Sequence, residues 1–419
     1  MTATPPPVVS ERRRTAESVA GYVCELGEQL LRFGCPTYRV EQLVVVVADL
    51  AGYDAEVFAL PTALHVMVAA RGQESVAPVQ RLARIRNARV DLGRLVALDK
   101  LFNDVADGVL TIEAARARLR ELDDAAKPLT TPVLAAISAS IAGSAAIAFG
   151  GGEREAGFAA IVGCLVLLLD KLLSRRPDAI FLLEFLSGLV VSLGAFAATH
   201  VAPGVSPQVI ILAGLLGLFP GMAFTTGIAE LAQRHMVAGA ARLLQAVVTL
   251  VSLVFGLAVA LGITTLLGLP ELPDAARAAP GFLRTLGVSV VISLGLGLLM
   301  GIPRPLLWAA VAPSVVTQAA FVLAGERVPV HLASFLAAVV ASSLANLLAR
   351  VTDRPAQLYQ VTALTLLVPG SFGFLSFDGF LRGDTDVGLQ RAVGMLLVAG
   401  GLVMGVLLAN VLVRPRKLL

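Results

Sequence analysis

Four histidines, three cysteines and a single tryptophan in 419 residues leave little material for metal, redox or disulfide chemistry. Cys24, Cys35 and Cys164 are far apart, odd in number and form no CxxC pair, so they read as buried free thiols. The histidines have no ligand spacing, so no metal and no cofactor are expected. There is no P-loop, Gly-rich nucleotide loop or nucleophile elbow, which argues against ATP coupling within the chain. There is no HExxH, paired Asp dyad or Ser-His constellation either, which argues against an intramembrane enzyme. Charge is scarce at 15%, and a net charge of +3 spread along the chain gives no case for nucleic acid. The opening MTATPPPVVSERRRTAESVA has no apolar core after its basic residues, so no cleaved signal peptide is expected.

What the chain has is apolar residues: 57% of the total, with a mean hydropathy of +0.82. They come in runs of about 20, the length that crosses a bilayer as a helix. This is the signature of a polytopic α-helical membrane protein. Residues 1–131 hold 16 Lys/Arg and 17 Asp/Glu, and the remainder only 17 and 13. A small cytosolic α+β domain is therefore expected over 15–128, after a Pro-rich, disordered 1–14. Two membrane repeats are expected over 129–267 and 268–419. In the first domain the periodicity predicts helices near 15–33, 36–51, 92–107 and 111–124. It predicts a hairpin of strands at 55–60 and 63–70, and a third strand near 83–90.

Ten apolar segments follow: 132–150, 156–173, 179–199, 208–229 and 240–263, then 282–301, 305–324, 330–349, 357–377 and 389–413. With the first domain inside, the inner links and tail carry 11 Lys/Arg and the outer links 6, so both termini are expected in the cytoplasm. Two segments contain a helix breaker, Pro220-Gly221 and Pro369-Gly370, 149 residues apart. At the same offset Gly239 matches Gly388, Gly256 matches Gly405 and Ala260 matches Ala409. Five spans per copy is odd, so the copies must be inverted, with the two breaks approaching one another near a pseudo-two-fold axis. Broken helices at matching positions point to a transporter's binding site.

Phe33-Gly34-Cys35-Pro36-Thr37-Tyr38-Arg39-Val40-Glu41, followed by Pro61-Thr62, resembles the N-terminal domain of the threonine/serine exporter family. LFPGMAFTTGIAELAQRHMVAGAA, from Leu218 to Ala241, is similar to the family's first membrane block. HLASFLAAVVASSLANLLAR and LLVPGSFG, within His331–Gly373, are similar to its second. The resemblance implies export of small hydroxy amino acids, threonine and serine, across a bacterial inner membrane, driven by the proton gradient. The partners it implies are a small amino acid, protons and the lipid bilayer; a homo-oligomer stays open.

A zwitterion needs donors for its carboxylate and acceptors for its ammonium, and a broken helix offers both. The candidate substrate site is Pro220, Gly221, Thr225, Thr226, Pro369, Gly370, Ser371 and Asn346. Ser, Thr and Asn in membrane helices also bond their own backbone or a neighbouring helix. Glu184, set among apolar residues, is a candidate proton carrier or an acid paired with Arg175 or Arg176. Glu230 and Asp378 end the two broken spans as near-symmetric acids, and Glu230 is a second proton-coupling candidate. Thr37, Tyr38, Arg39 and Glu41 carry a structural or a substrate-gating role. Arg39 and Glu41, two apart, do not share a helix face. A ligand-gated channel or sensory membrane protein regulated by the N-terminal domain is the alternative reading.

Overall fold

The computed structural model describes residues 7–72, 77–86, 88–124, 129–268, 280–367 and 370–414. Among the described residues the N-terminal region has four helices, α1 (Pro7–Arg32), α2 (Thr37–Leu50), α3 (Leu92–Ala106) and α4 (Ile112–Asp124), and three strands, β1 (Tyr53–Leu60), β2 (Ala63–Ala70) and β3 (Val79–Arg84). The strands form an antiparallel meander in the order β1-β2-β3. Leu64, Val66 and Val68 alternate into the core, as period-2 patterning requires. α1 packs on β2 and β3, and α2 on β1.

Two elements differ from expectation. α1 begins at Pro7, ahead of Thr15, because Pro at the start of a helix needs no amide partner. Residues 1–6 of the expected disordered stretch lie outside the described residues. β3 spans 79–84 rather than 83–90, because its pairing with β2 runs out at Arg84 opposite Ala63. Beyond it the chain crosses to the end of α1, where the Arg89 N–H donates to the Arg32 carbonyl at 2.8 Å.

Among the described residues twelve α-helices follow. The first six are α5 (Thr131–Ala148), α6 (Glu153–Leu173), α7 (Leu183–Val201), α8 (Pro207–Gly214), α9 (Gly221–Ala232) and α10 (Met236–Leu266). The second six are α11 (Phe282–Leu299), α12 (Leu307–Gly325), α13 (Val330–Thr352), α14 (Gln357–Thr365), α15 (Gly370–Leu381) and α16 (Thr385–Leu412). Among the described residues nine spans are long and apolar enough to cross a membrane, and the bent pair α8–α9 brings the number up to ten. Leu168, Leu172, Val248, Phe255, Leu347 and Leu397 lie exposed on these helices, as lipid-facing side chains do. The protein is a multi-pass helical membrane protein. Residues 269–279 between the two groups of helices, which include Arg277 of the outer links, lie outside the described residues, as do Arg416 and Lys417 of the tail.

Packing repeats between the two groups of six. α5 packs on α6, α6 on α7, α7 on α10 and α9 on α10, with α8 against α6 and α7. In the same order α11 packs on α12, α12 on α13, α13 on α16 and α15 on α16, with α14 against α12 and α13. The matched glycines have matched surroundings. A Cβ on Gly256 would overlap the Phe185 carbonyl of α7, and one on Gly405 would lie 2.6 Å from the Phe335 carbonyl of α13. Both glycines let two helix backbones touch, the usual way that membrane helices pack closely.

The N-terminal region shares a core with the membrane helices. One buried cluster runs from Leu26, Leu43, Leu64 and Leu95 into Ile302, Ala309, Ala345, Leu358 and Tyr359. The Leu92 N–H also donates to the Met300 carbonyl at 2.7 Å, and Asp91 lies against Gly301 in the α11–α12 turn.

Candidate functional site

The start of α15 lies against the break between α8 and α9. α8 passes through a short 3-10 turn, Leu216–Leu218, into Phe219, whose ψ of 126 is extended. Pro220 explains this, since its ring clashes with a helical residue before it. The chain bends by 45° and restarts as α9 at Gly221. Its first amides have no helical partners, as at any helix start. In the second half α14 ends at Thr365 and α15 restarts at Gly370; Pro369 lies outside the described residues. A Cβ on Gly370 would lie 2.7 Å from the Phe219 Cβ and 3.6 Å from the Gly221 nitrogen. Only a residue without a side chain permits this approach. The Phe219 and Phe374 rings pack 5.5 Å apart over the junction. Pro220, Gly221 and Gly370 enclose a gap of about 10 Å³, room for about one water.

Two larger cavities, each of about 340 Å³, flank this contact. Small-molecule pockets run from roughly 300 to 1,000 Å³, so either could hold a small solute. The first lies between the N-terminal region and α9, α13, α14 and α16, and takes Thr225, Thr226 and Asn346 from the expected set. The second lies along α11, between α5 and α15, and takes Gly221, Gly370 and Ser371. Met222 belongs to both walls. The structure therefore divides the expected site over two chambers, with Met222 and the Phe219–Gly370 contact between them.

In the first cavity the Thr225 hydroxyl is buried and meets no hydrogen-bond partner among the described residues. Asn346 is tied down: its side-chain amide donates to Asn410 Oδ1 at 3.0 Å and to the Val413 carbonyl at 2.7 Å, clamping α13 to the end of α16.

The acid that ends α9 joins the two parts of the molecule. Glu230 is fully buried, and both its oxygens are engaged. Oε1 accepts from the Thr37 N–H at 3.1 Å and from the Thr37 hydroxyl at 2.9 Å, and Oε2 accepts from Arg242 Nε at 3.0 Å. Thr37 opens α2, so the first turn of that helix clamps the half-helix that follows the break. Glu41, one turn further on, accepts from the Ala59 N–H at 2.9 Å and lies 3.5 Å from His235 Nδ1. The Tyr38 ring packs 6.1 Å from the His235 ring. Arg39 is directed elsewhere and lines the first cavity with Tyr38 and Gln42. Arg39 and Glu41 thus do occupy different faces of α2. Cys35 is fully buried just before this helix, and burial pushes its thiol up to about 12.

Glu184 lies half-buried in the first turn of α7 and lines neither cavity. Asp378 is buried and pairs with Arg382, in the turn just past the end of its helix, at 3.0 Å. Sequence reasoning missed Arg242 as the partner of Glu230. The signal was there, since Arg242 and Arg391 stand at the same 149-residue offset as the breaks. It also missed the carboxamides Gln42, Gln233, Gln357, Gln360 and Asn410 of the first cavity. Gln357 and Gln360 are three apart at the start of a broken span, which puts them on one helix face. A further buried acid, Glu155, accepts from the Gly152 N–H at the start of α6 and from the Ser206 N–H just before α8.

The family described as "Putative threonine/serine exporter" matches residues 21–264, and "Threonine/Serine exporter, ThrE" matches residues 285–412. A "Probable threonine/serine exporter" of Mycobacterium tuberculosis is 25% identical over 97% of this chain and 80% of its own length. "Pheromone-regulated membrane protein 10" of Eremothecium gossypii is 24% identical over 56% of this chain and 32% of its own length. The protein of that name from Kluyveromyces lactis is 23% identical over 56% and 25%. No solved structure matches. With the first family covering more than half of its length and the second most of the rest, the chain belongs to the threonine/serine exporter family.

Proposed function

We propose that this protein is a secondary transporter that exports threonine, serine and similar small amino acids from a bacterial cytoplasm. It works by alternating access around the two broken helices. The observation that carries the reading is the contact of Gly370 with Phe219 and Gly221, with a cavity of about 340 Å³ on either side. The matched packing of the two groups of helices supports two inverted five-span repeats, ten spans in all. The positive-inside bias supports a cytoplasmic N-terminal domain and cytoplasmic termini.

In this reading the first cavity faces the cytoplasm. A substrate there lies against Thr225 and Thr226, whose hydroxyls can meet its own hydroxyl. Passage requires α9 to rotate at Pro220-Gly221, so that Met222 and Phe219 stop separating the chambers. Ser371 and the amides at the start of α15 then receive the solute in the second cavity. Binding in one chamber at a time is what couples the conformational change to transport.

The proton gradient is the driving force in this proposal. Glu230 is where a proton would act on the gate: protonation removes the charge that Arg242 pairs with and frees the α9 end from Thr37. Glu184, the first candidate from the sequence, is the alternative carrier. Counterflow of labelled threonine into proteoliposomes, with and without a pH gradient, tests substrate and coupling together. Saturable exchange, accelerated by the gradient, is the expected result. Conductance without exchange would favour a channel, and indifference to the gradient would remove the proton. Glu184→Gln should keep exchange and lose uphill transport; a variant like the parent would retire that residue.

A further inference from the structure

The joint between the N-terminal domain and the membrane helices contains a group that changes charge near neutral pH. His235 stands in the turn between α9 and α10, and its Nδ1 lies 3.5 Å from Glu41 Oε2 of α2. The two side chains are only 25% and 22% exposed, so water screens the pair less than it does a surface ion pair. Glu41 is held in place, because its other oxygen accepts from the Ala59 N–H at 2.9 Å. An imidazole ordinarily titrates at about pH 6.5.

The elements around His235 leave its charge to Glu41. From α2, the Tyr38 ring lies 6.1 Å away, and Arg39 stands over that ring at 5.9 Å. α9 ends in Glu230, whose oxygens are taken by Thr37 and by Arg242 of α10. Arg234, next to it in the chain, is exposed. β1, which packs on α10, carries an exposed Glu56 and an Asp54 that pairs with Arg71 at 3.0 Å. His235 also sits between the carbonyl end of α9 and the amide end of α10, whose dipoles oppose one another there. Glu41 is therefore the acid that a protonated His235 meets.

We propose that His235 is a pH sensor that clamps the N-terminal domain onto the α9–α10 turn as the cytoplasm acidifies. With neutral His235 the contact to Glu41 is at most a hydrogen bond. With protonated His235 it is an ion pair, present only while the domain is docked. The docked state therefore holds the proton more tightly than the undocked one. Docking strengthens as the pH falls through about 6.5 and weakens as it rises. The same helix start carries the bond between Thr37 and Glu230, so the clamp holds the end of α9. In the transport reading above, on which this last step rests, α9 must rotate, and export slows when protons accumulate inside. A transporter that brings protons in is thereby braked by them.

The test uses two readouts on the purified full-length protein. The first, maleimide labelling of Cys35 read by peptide mass, needs no transport. Cys35 is buried at the joint, with Gln357 of α14 against its thiol. Rates are taken as the ratio of parent to His235→Gln at each pH, which cancels the titration of the thiol and of Glu230. The ratio should be close to one at about pH 7.5 and fall about threefold by about pH 5.5, the scale of a partly exposed ion pair. Glu41→Gln, which keeps an oxygen for Ala59, should behave like His235→Gln, and the double variant should add nothing. The second readout is threonine efflux from proteoliposomes at a fixed gradient, with the pH on the N-terminal side stepped over the same range. The parent should slow about threefold more than His235→Gln. A labelling ratio that ignores pH would overturn the sensor whatever efflux shows, and equal slowing in both proteins would overturn the brake. A falling ratio in a parent that moves no threonine would overturn the transport reading and leave the clamp standing.

Discussion

The two broken helices, built alike, are closed differently. Each restarts at a glycine, packs against a long partner helix and ends in a buried acid. Glu230 at the end of α9 is held from outside its helix, by Thr37 of the N-terminal domain and by Arg242 of α10. Asp378 at the end of α15 pairs locally, four residues on, and its partner Arg382 in the following turn is 45% exposed. Arg391, at the position matching Arg242, donates instead to the Leu375 carbonyl at 3.2 Å. Duplicated packing thus carries two similar helix starts, while the N-terminal domain bonds to the helix of one of them. In the transport reading proposed above, this inequality makes the first break the harder of the two to move.

Substitution can break this comparison. The largest effect is expected at Glu230→Ala, which strands a mostly buried Arg242 and should cost about 3–5 kcal/mol of stability. Asp378→Ala leaves behind an arginine that water already reaches, so it should cost about 1 kcal/mol or less. Chemical unfolding of the purified variants measures both; equal losses would remove the asymmetry. Next comes Thr37→Val, which deletes the hydroxyl bond to a buried carboxylate and should cost about 1.5–3 kcal/mol. It should also raise maleimide labelling of Cys35, which sits buried beside the joint. Gly256→Ala and Gly405→Ala should each cost about 1–3 kcal/mol through overpacking, with the larger loss at Gly256, where the backbones are closer. A ratio near one would fit a more symmetric scaffold than the one described.

The smallest effect is confined to the N-terminal domain. The hydrogen bond and charge of Arg116 hold the Glu25 carboxyl below its usual range. A depressed folded value means that the pair stabilises above the unfolded value, near 4.5, and that this stabilisation is lost as the pH falls through the folded value. The pair is partly exposed, so the contribution should be about 1 kcal/mol or less. A melting curve followed from pH 6 down to pH 3 should show a shallower acid limb in Glu25→Gln.

Much of this architecture is legible in the residues. Membrane-crossing segments announce themselves because lipid demands about 20 apolar residues in a row. The 149-residue offset pairs the breaks and the glycines, and Gly256 and Gly405 meet equivalent backbones for that reason. The facing of Leu64, Val66 and Val68 follows from strand alternation. What stayed hidden depends on contacts far apart in sequence. Thr37 and Glu230 are 193 residues apart, and no local pattern brings them together. β3 was displaced because its register is set by β2, not by its own composition. The division of the expected site into two chambers turns on where Met222 falls between them, which only packing decides.

The most direct measurement is a structure of the full chain in a lipid nanodisc at saturating L-threonine. The account predicts ordered density in the first cavity, beside the Thr225–Thr226 turn of α9, or in the second beside Ser371. Density bound only at the lipid-facing surface, with Phe219 and Gly370 still in contact and both chambers empty, would contradict it.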